Sequence, residues 1–228
     1  MHPDETISRG PLRVGIVGAG RVGTALARAL GDAGVEVEGP VGRGVRPASC
    51  DAIVLCVPDA EIEAAAEVVT AAAPLVGHTS GATPLTALAH AGVQAFGLHP
   101  LQSFAHPGVR FDGVGAAVAG TTPEALSFAT GLAERLGMTP FEIDDEGRAA
   151  YHAAASVASN FLVTLQAAAE AIASGAGLDR DDARRLLMPL VRQTLENVAQ
   201  LGPEAALTGP VARGDEATVA TQRAAGEL

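Results

Sequence analysis

The chain has 228 residues, 48% of them apolar and 3% aromatic, and a formal net charge of −11. That is enough apolar chain for one large domain or two small ones, and the negative charge argues against a nucleic-acid backbone or an anionic membrane as partner. All 15 basic residues are arginines, so Schiff-base and lysine acid–base chemistry are excluded. Cys50 and Cys56 show no metal-ligand spacing and make no disulfide framework. The N-terminus, MHPDETISRG, lacks the apolar run of a signal peptide, and no uninterrupted apolar stretch reaches membrane-spanning length, so a cytoplasmic protein is expected.

LRVGIV, 12–17, reads as a buried strand, followed by GAGRVG and the helix pattern TALARALGDAG, which Gly34 stops. VEVEGPV, 35–41, and DAIVLCVP, 51–58, are the second and third strands. A helix over 59–72 has acidic residues in its first turn. PLVGHTSG carries a fourth strand, and TPLTALAHAG a short helix with threonine as N-cap. VQAFGLHP and GVGAAVAG are the fifth and sixth strands, and a helix at 122–136 leads to TPFEI, 139–143. From Glu146 the strand signal stops. An alanine-rich helical run to Gly175, about 40 Å long, is followed by helical segments at 179–200 and 203–226. This order predicts an α/β fold: an N-terminal doubly wound parallel Rossmann sheet over 1–145, then an all-helical domain over 146–228.

GAGRVG sits where a dinucleotide site requires it, between an apolar strand and a helix. Gly18 allows the tight turn, Gly20 the approach of a diphosphate, and Gly23 close helix–strand packing. With Ala19, Arg21 and Val22 they place free amides and the positive end of the helix at the phosphates. Val57 and Pro58, at the end of the third strand, complete the cofactor set. The plain alternative is a glycine-rich turn that binds nothing. Arg43, at the end of the second strand, suits a 2′-phosphate and so NADP(H). Glu38 has the sequence offset of an NAD(H) ribose acid but lies inside the strand. Arg43 and Arg46 as solvated loop charges are the bland reading.

In an open parallel sheet, ligands bind beyond the carboxyl ends of the strands. Three ends carry polar groups: Pro58-Asp59, His78-Thr79-Ser80-Gly81 and His99-Pro100-Leu101-Gln102-Ser103. His99 can donate a hydrogen bond or a proton to a reacting oxygen, or merely orient its loop. Ser80 can hold substrate or nicotinamide amide, though a serine before glycine is also ordinary turn chemistry. His2, His78, His90 and His106 read as structural or solvated. No third ligand joins His99 and His106, so no metal site is expected. His152, Ser156 and Asn160 recur every four residues and form a polar stripe beside Tyr151. The stripe holds substrate or forms a helix–helix network. Gly209-Pro210 marks a turn and Asp215 a cap, while Arg213 suits a substrate carboxylate or pairs with Asp215.

RVGIVGAGRVGTALARAL, DAIVLCVPDAEI, HTSGATPLTAL, GLHPLQSF, YHAAASVASNF and ALTGPVARGD together resemble an uncharacterised Rossmann-like oxidoreductase family with a helical C-terminal domain of unknown function. That family falls in the wider group of pyrroline-5-carboxylate reductase, prephenate dehydrogenase and 6-phosphogluconate dehydrogenase. The resemblance implies an NADP-type Rossmann domain, a helical dimerisation domain and a site between them. Prephenate dehydrogenases carry a similar His-Pro with the histidine near the substrate hydroxyl, which His99 matches. Hydroxyacid dehydrogenases of the group use a lysine four residues before an asparagine; Ser156 and Asn160 stand at the matching places, so the lysine is missing. In the family, further helix follows the ARGD segment.

The expectation is therefore an NADP(H)-dependent oxidoreductase that transfers a hydride between nicotinamide and a small carbonyl, imine or hydroxy-acid substrate. His99, Asn160 and Ser80 would be catalytic, Ser156, His152 and Arg213 would bind substrate, and the protein would be a homodimer. The alternative is a non-catalytic NADP-binding sensor or scaffold, which the missing lysine favours.

Overall fold

The computed structural model describes residues 11–42, 44–106 and 108–226. They fall into two compact units, Met1–Ser156 and Val157–Leu228. The division lies past the end of the strand signal at 144–148, because the first helix after the sheet belongs to the first unit.

In the first unit, seven strands form one sheet. They are β1 (Arg13–Val17), β2 (Glu36–Val41), β3 (Ala52–Leu55), β4 (Leu75–His78), β5 (Gln94–Pro100), β6 (Gly115–Gly120) and β7 (Thr139–Glu142), in the spatial order β2-β1-β3-β4-β5-β6-β7. After β1 the chain goes to β2 on one side, then crosses to β3 on the other. The connections thus diverge beyond the carboxyl end of β1, where such sheets bind ligands. α1 (Arg21–Asp32) and α3 (Pro123–Arg135) cover one face, packing on Val14, Ile16 and Phe96. α2 (Ile62–Val69) and a 3₁₀ turn at Leu85–Ala91 cover the other, packing on Ile53, Leu55 and Val76. β3 is buried throughout because both faces are covered.

Three expectations change in the first unit. The sheet is parallel from β2 through β5, but β6 runs antiparallel to β5. The described residues of the segment 101–114 contain no helix to carry the chain back. Leu101 N–H instead donates to Gly115 O at 2.8 Å, so β6 starts at the rim where β5 ends. TPLTALAHAG is a 3₁₀ turn, not an α-helix capped by threonine: the Asp145 carboxylate accepts Leu85 N–H at 3.0 Å. The helix expected over 59–72 begins as a 3₁₀ turn at Asp59–Glu61 and ends at Val69.

α4 (Arg148–Ser156) closes the first unit. The second opens with a π-helical turn, Val157–Phe161, followed by α5 (Leu162–Gly175) and α6 (Arg180–Leu201). Arg184 donates two hydrogen bonds of 2.8 Å to Glu170 and ties α6 to α5. The expected last helix is three pieces: α7 (Pro203–Ala206), α8 (Gly209–Ala212) and α9 (Glu216–Gly226). Gly209 and Gly214 take positive φ at the breaks, and Asp215 caps α9 by accepting Thr218 N–H at 3.1 Å. Among its described residues only Ala183 is buried.

Candidate active site

The glycines of the first turn answer to different constraints. Gly18 has φ +109°, and a Cβ there would lie 2.2 Å from Cys56 O. A Cβ on Gly23 would lie 1.9 Å from Gly18 O. The protein's own packing therefore demands both. A Cβ on Gly20 would meet nothing within 4 Å, so no described residue fills the space above it.

The N-terminus of α1 is left without the usual compensation. No side chain caps it, and its first turn holds no acidic residue. By contrast, Thr122 caps α3 and Glu124 follows it, while Asp179 caps α6 with Asp181 and Asp182 in the first turn. The α1 amides keep their hydrogens and the positive end of the helix dipole. A diphosphate fits this donor set. Ala19, Gly20 and Arg21 are exposed here, with Gly18 and Val22 partly buried. β1, β3, β4 and β5 are mutually parallel, so Val57 and Pro58 past β3 lie at the same edge. Glu38 stands inside β2 opposite Gly15. Arg43 lies outside the described residues; Arg46 is exposed.

A second cluster occupies the same edge. His99 lies near the end of β5, and its Nδ1 is 2.6 Å from the Tyr151 hydroxyl on α4. His152, the next residue, approaches with its ring centroid 6.1 Å from that of His99. Both rings lie over Gly81: a Cβ there would be 2.8 Å from His152 Nδ1 and 2.9 Å from His99 Nε2. Any side chain at 81 would push the two imidazoles away. His152 Nδ1 is buried with no hydrogen-bond partner.

Arg148 underlies the cluster. It is buried, its Nε donates to Asp145 at 2.8 Å, and Asp145 in turn holds Leu85 N–H. A Cβ at Gly97 would be 2.7 Å from the Arg148 guanidinium, so glycine is needed at that point of β5. Burial pushes His99 down to about 4, helped by His152 and Arg148 and opposed by Asp59. Burial likewise pushes His78 down to about 4, again with Arg148. Both rings are neutral near pH 7. Burial raises the Tyr151 phenol to about 12 against the pull of Arg148. His78 is fully buried, and neither of its nitrogens makes a hydrogen bond. Solvation of His78, one of its expected readings, does not occur.

The Ser80 hydroxyl is engaged in its own turn. It accepts Ala82 N–H at 3.2 Å and Thr83 N–H at 2.9 Å and pairs with Thr83 Oγ1 at 3.0 Å. Ser156 is the last residue of α4, one turn from His152. Asn160 is exposed in the π turn of the second unit, where the four-residue periodicity of an α-helix no longer holds. Arg213 ends α8, and the Asp215 carboxylate goes to Thr218 instead. The structure thus brings His99 and His152 together and adds Tyr151, Arg148 and Asp145 to them. Sequence reasoning gave these last three no role. The i, i+3 spacing of Asp145 and Arg148 is a local signal for an ion pair, but nothing local shows that the pair underlies two histidines.

Among the described residues no helix is long and apolar enough to cross a membrane, and no cluster of three or more metal-ligating side chains occurs. No curated protein matches the chain in sequence. Solved structures resemble it. A provisionally assigned NADP oxidoreductase from Bacteroides fragilis shares 22% identity over 93% of this chain and 90% of its own, with a TM-score of 0.78. A protein from Thermotoga maritima shares 23% over 92% and 88%, with a TM-score of 0.73. Plasmodium falciparum pyrroline carboxylate reductase, solved with NADP bound, shares 13% over 95% and 94%, with a TM-score of 0.63. At these identities the likeness establishes a Rossmann-like α/β fold followed by helices. Residues 114–227, half of the chain, match the family described as domain of unknown function DUF2520, and the chain belongs to that family.

Proposed function

We propose that this protein is an NADP(H)-dependent oxidoreductase acting on a small carbonyl, imine or hydroxy-acid substrate. The observation that carries the reading is the uncapped, acid-free N-terminus of α1 beneath the open space at Gly20. It lies at the same sheet edge as the His99–Tyr151 pair. Gly18, whose N–H donates to Val41 O at 2.9 Å, would shape the turn. The amides from Ala19 to Gly23 would bind the diphosphate, Val57 and Pro58 would line the cofactor, and Arg43 would take the 2′-phosphate. Bound there, the nicotinamide supplies or accepts the hydride.

His99 would donate a hydrogen bond to the reacting oxygen. His152 and Ser156 on α4 would hold the rest of the substrate, and Asn160 and Arg213 carry groups suited to a substrate oxygen and a carboxylate. Ser80 contributes by shaping the turn that presents Gly81 to the two imidazoles. The absence of lysine leaves imidazole as the proton-handling group. It also supports a second reading, a non-catalytic NADP-binding sensor or scaffold.

The second unit supports a homodimer. Phe161 and Leu165 are 58% and 65% exposed, and among the described residues of this helical unit only Ala183 is buried, too little for a core of its own. A two-fold copy is the commonest way to cover such a surface.

The experiment is NADPH oxidation with a panel of 2-keto acids, β-keto acids and cyclic imines, run on the wild type and on His99→Ala. Turnover with one substrate class, falling by roughly 10²-fold or more in the variant, is expected. Saturable NADPH binding without turnover on any member would instead favour the sensor. Unchanged turnover in His99→Ala would remove the imidazole from the chemistry.

A further inference from the structure

We propose that Tyr151 is a positioning residue that holds His99 as its Nε2–H tautomer and relays a proton through that ring to a carbonyl oxygen. The chemistry rests on the oxidoreductase reading; the tautomer does not. Tyr151 is the one hydrogen-bond partner of the His99 ring among the described residues, at 2.6 Å from Nδ1. Between these groups the direction of donation is decided by chemistry. An imidazole nitrogen accepts better than a phenol oxygen, and a phenol O–H is the stronger acid. The hydroxyl therefore donates, Nδ1 carries no hydrogen, and the proton of the neutral ring sits on Nε2.

The surroundings keep this arrangement in place. The two rings meet edge to face, with centroids 5.5 Å apart at 86°. Phe141 also packs edge-on against Tyr151, with ring centroids 5.8 Å apart. The charged and titratable groups facing His99 are His152, Arg148 and Asp59. Nε2 lies over Gly81, where no side chain intervenes.

A neutral ring with hydrogen on Nε2 is a donor, which fits a carbonyl oxygen, a group that only accepts. When hydride adds to the carbonyl carbon, the π pair of the C=O bond moves to oxygen. That oxygen takes the Nε2 proton as Nδ1 takes the phenol proton of Tyr151. Nδ1 then returns its proton to the phenolate, and Nε2 regains one from water, which leaves hydroxide to the solvent. The substrate gains one hydride and one proton, and both side chains return to their starting state.

The test needs neither cofactor nor substrate. The chain contains a single tyrosine, so biosynthetic 3-fluorotyrosine alters Tyr151 alone. The full chain with ¹⁵N-labelled histidine is compared with and without this label and as Tyr151→Phe, and His99 is assigned by the signals lost in His99→Gln. The wild type is expected to show an unprotonated Nδ1 and a protonated Nε2. The more acidic fluorophenol should shift the Nδ1 signal further toward hydrogen-bonded nitrogen, and Tyr151→Phe should move both nitrogens toward a tautomer average. A protonated Nδ1 in the wild type, or a His99 signal indifferent to fluorination, overturns the proposal even if Tyr151→Phe does not fold. A silent NADPH panel with the expected tautomer would count against the enzyme and leave the pair standing.

Discussion

In the first unit Leu26, Ile53 and Phe96 are fully buried between sheet and helices, whereas in the second Phe161, Leu165 and Leu190 are each more than half exposed. One unit satisfies its apolar side chains within itself and uses its polar ones to shape a rim. The other presents apolar side chains that need a covering. Titratable imidazoles divide the same way: the chain carries no histidine after His152.

Acid should separate the two units most strongly. His78 and His99 have folded pKa values near 4 against an ordinary 6.5. Between those values an unfolded ring binds a proton that the folded ring does not, so stability falls as pH drops from about 6.5 to about 4. The loss is on the order of 3 kcal/mol for each ring. Tertiary signals of the first unit should be lost in this window while helical circular dichroism from the second persists. Simultaneous loss of both would break the contrast.

Core substitutions come next. Leu26→Ala should cost about 2–5 kcal/mol in urea unfolding, while Leu165→Ala should stay within about 0.5 kcal/mol for a dissociated chain. Sedimentation then sharpens the comparison. The wild type is expected to sediment as a dimer at micromolar concentration and Phe161→Asp as a monomer, and a monomeric wild type would contradict the covered face. The smallest effect is at a cap. Thr122→Ala should cost about 1 kcal/mol, because it removes the acceptor of Ala125 N–H.

Much of the sheet was legible because buried parallel strands are short apolar runs closed by glycine or proline, as at 51–58 and 93–100. The reversal at β6 was not read from the sequence, although LQSFAHPGVRFDGV contains no helix pattern to carry a parallel crossover. The glycine turn was legible because its chemistry is local. The histidine rim was only half so. His99 could be found from its strand end, but Tyr151, Arg148 and Asp145 act across about 50 to 60 residues of sequence, on His99, Gly97 and Leu85. No periodicity reports such contacts. Ser80 shows the converse: a hydroxyl suited to substrate by type is engaged by the amides two and three residues on.

The central claim is that the free amides opening α1 receive a diphosphate. Amide chemical shifts of the full chain during NADPH titration test it directly. Residues 19–23 should shift saturably while the capped first turns of α3 and α6 stay still, and Gly20→Val should abolish the response without lowering the melting temperature. Shifts confined to other segments, or an unaltered response in Gly20→Val, would contradict it.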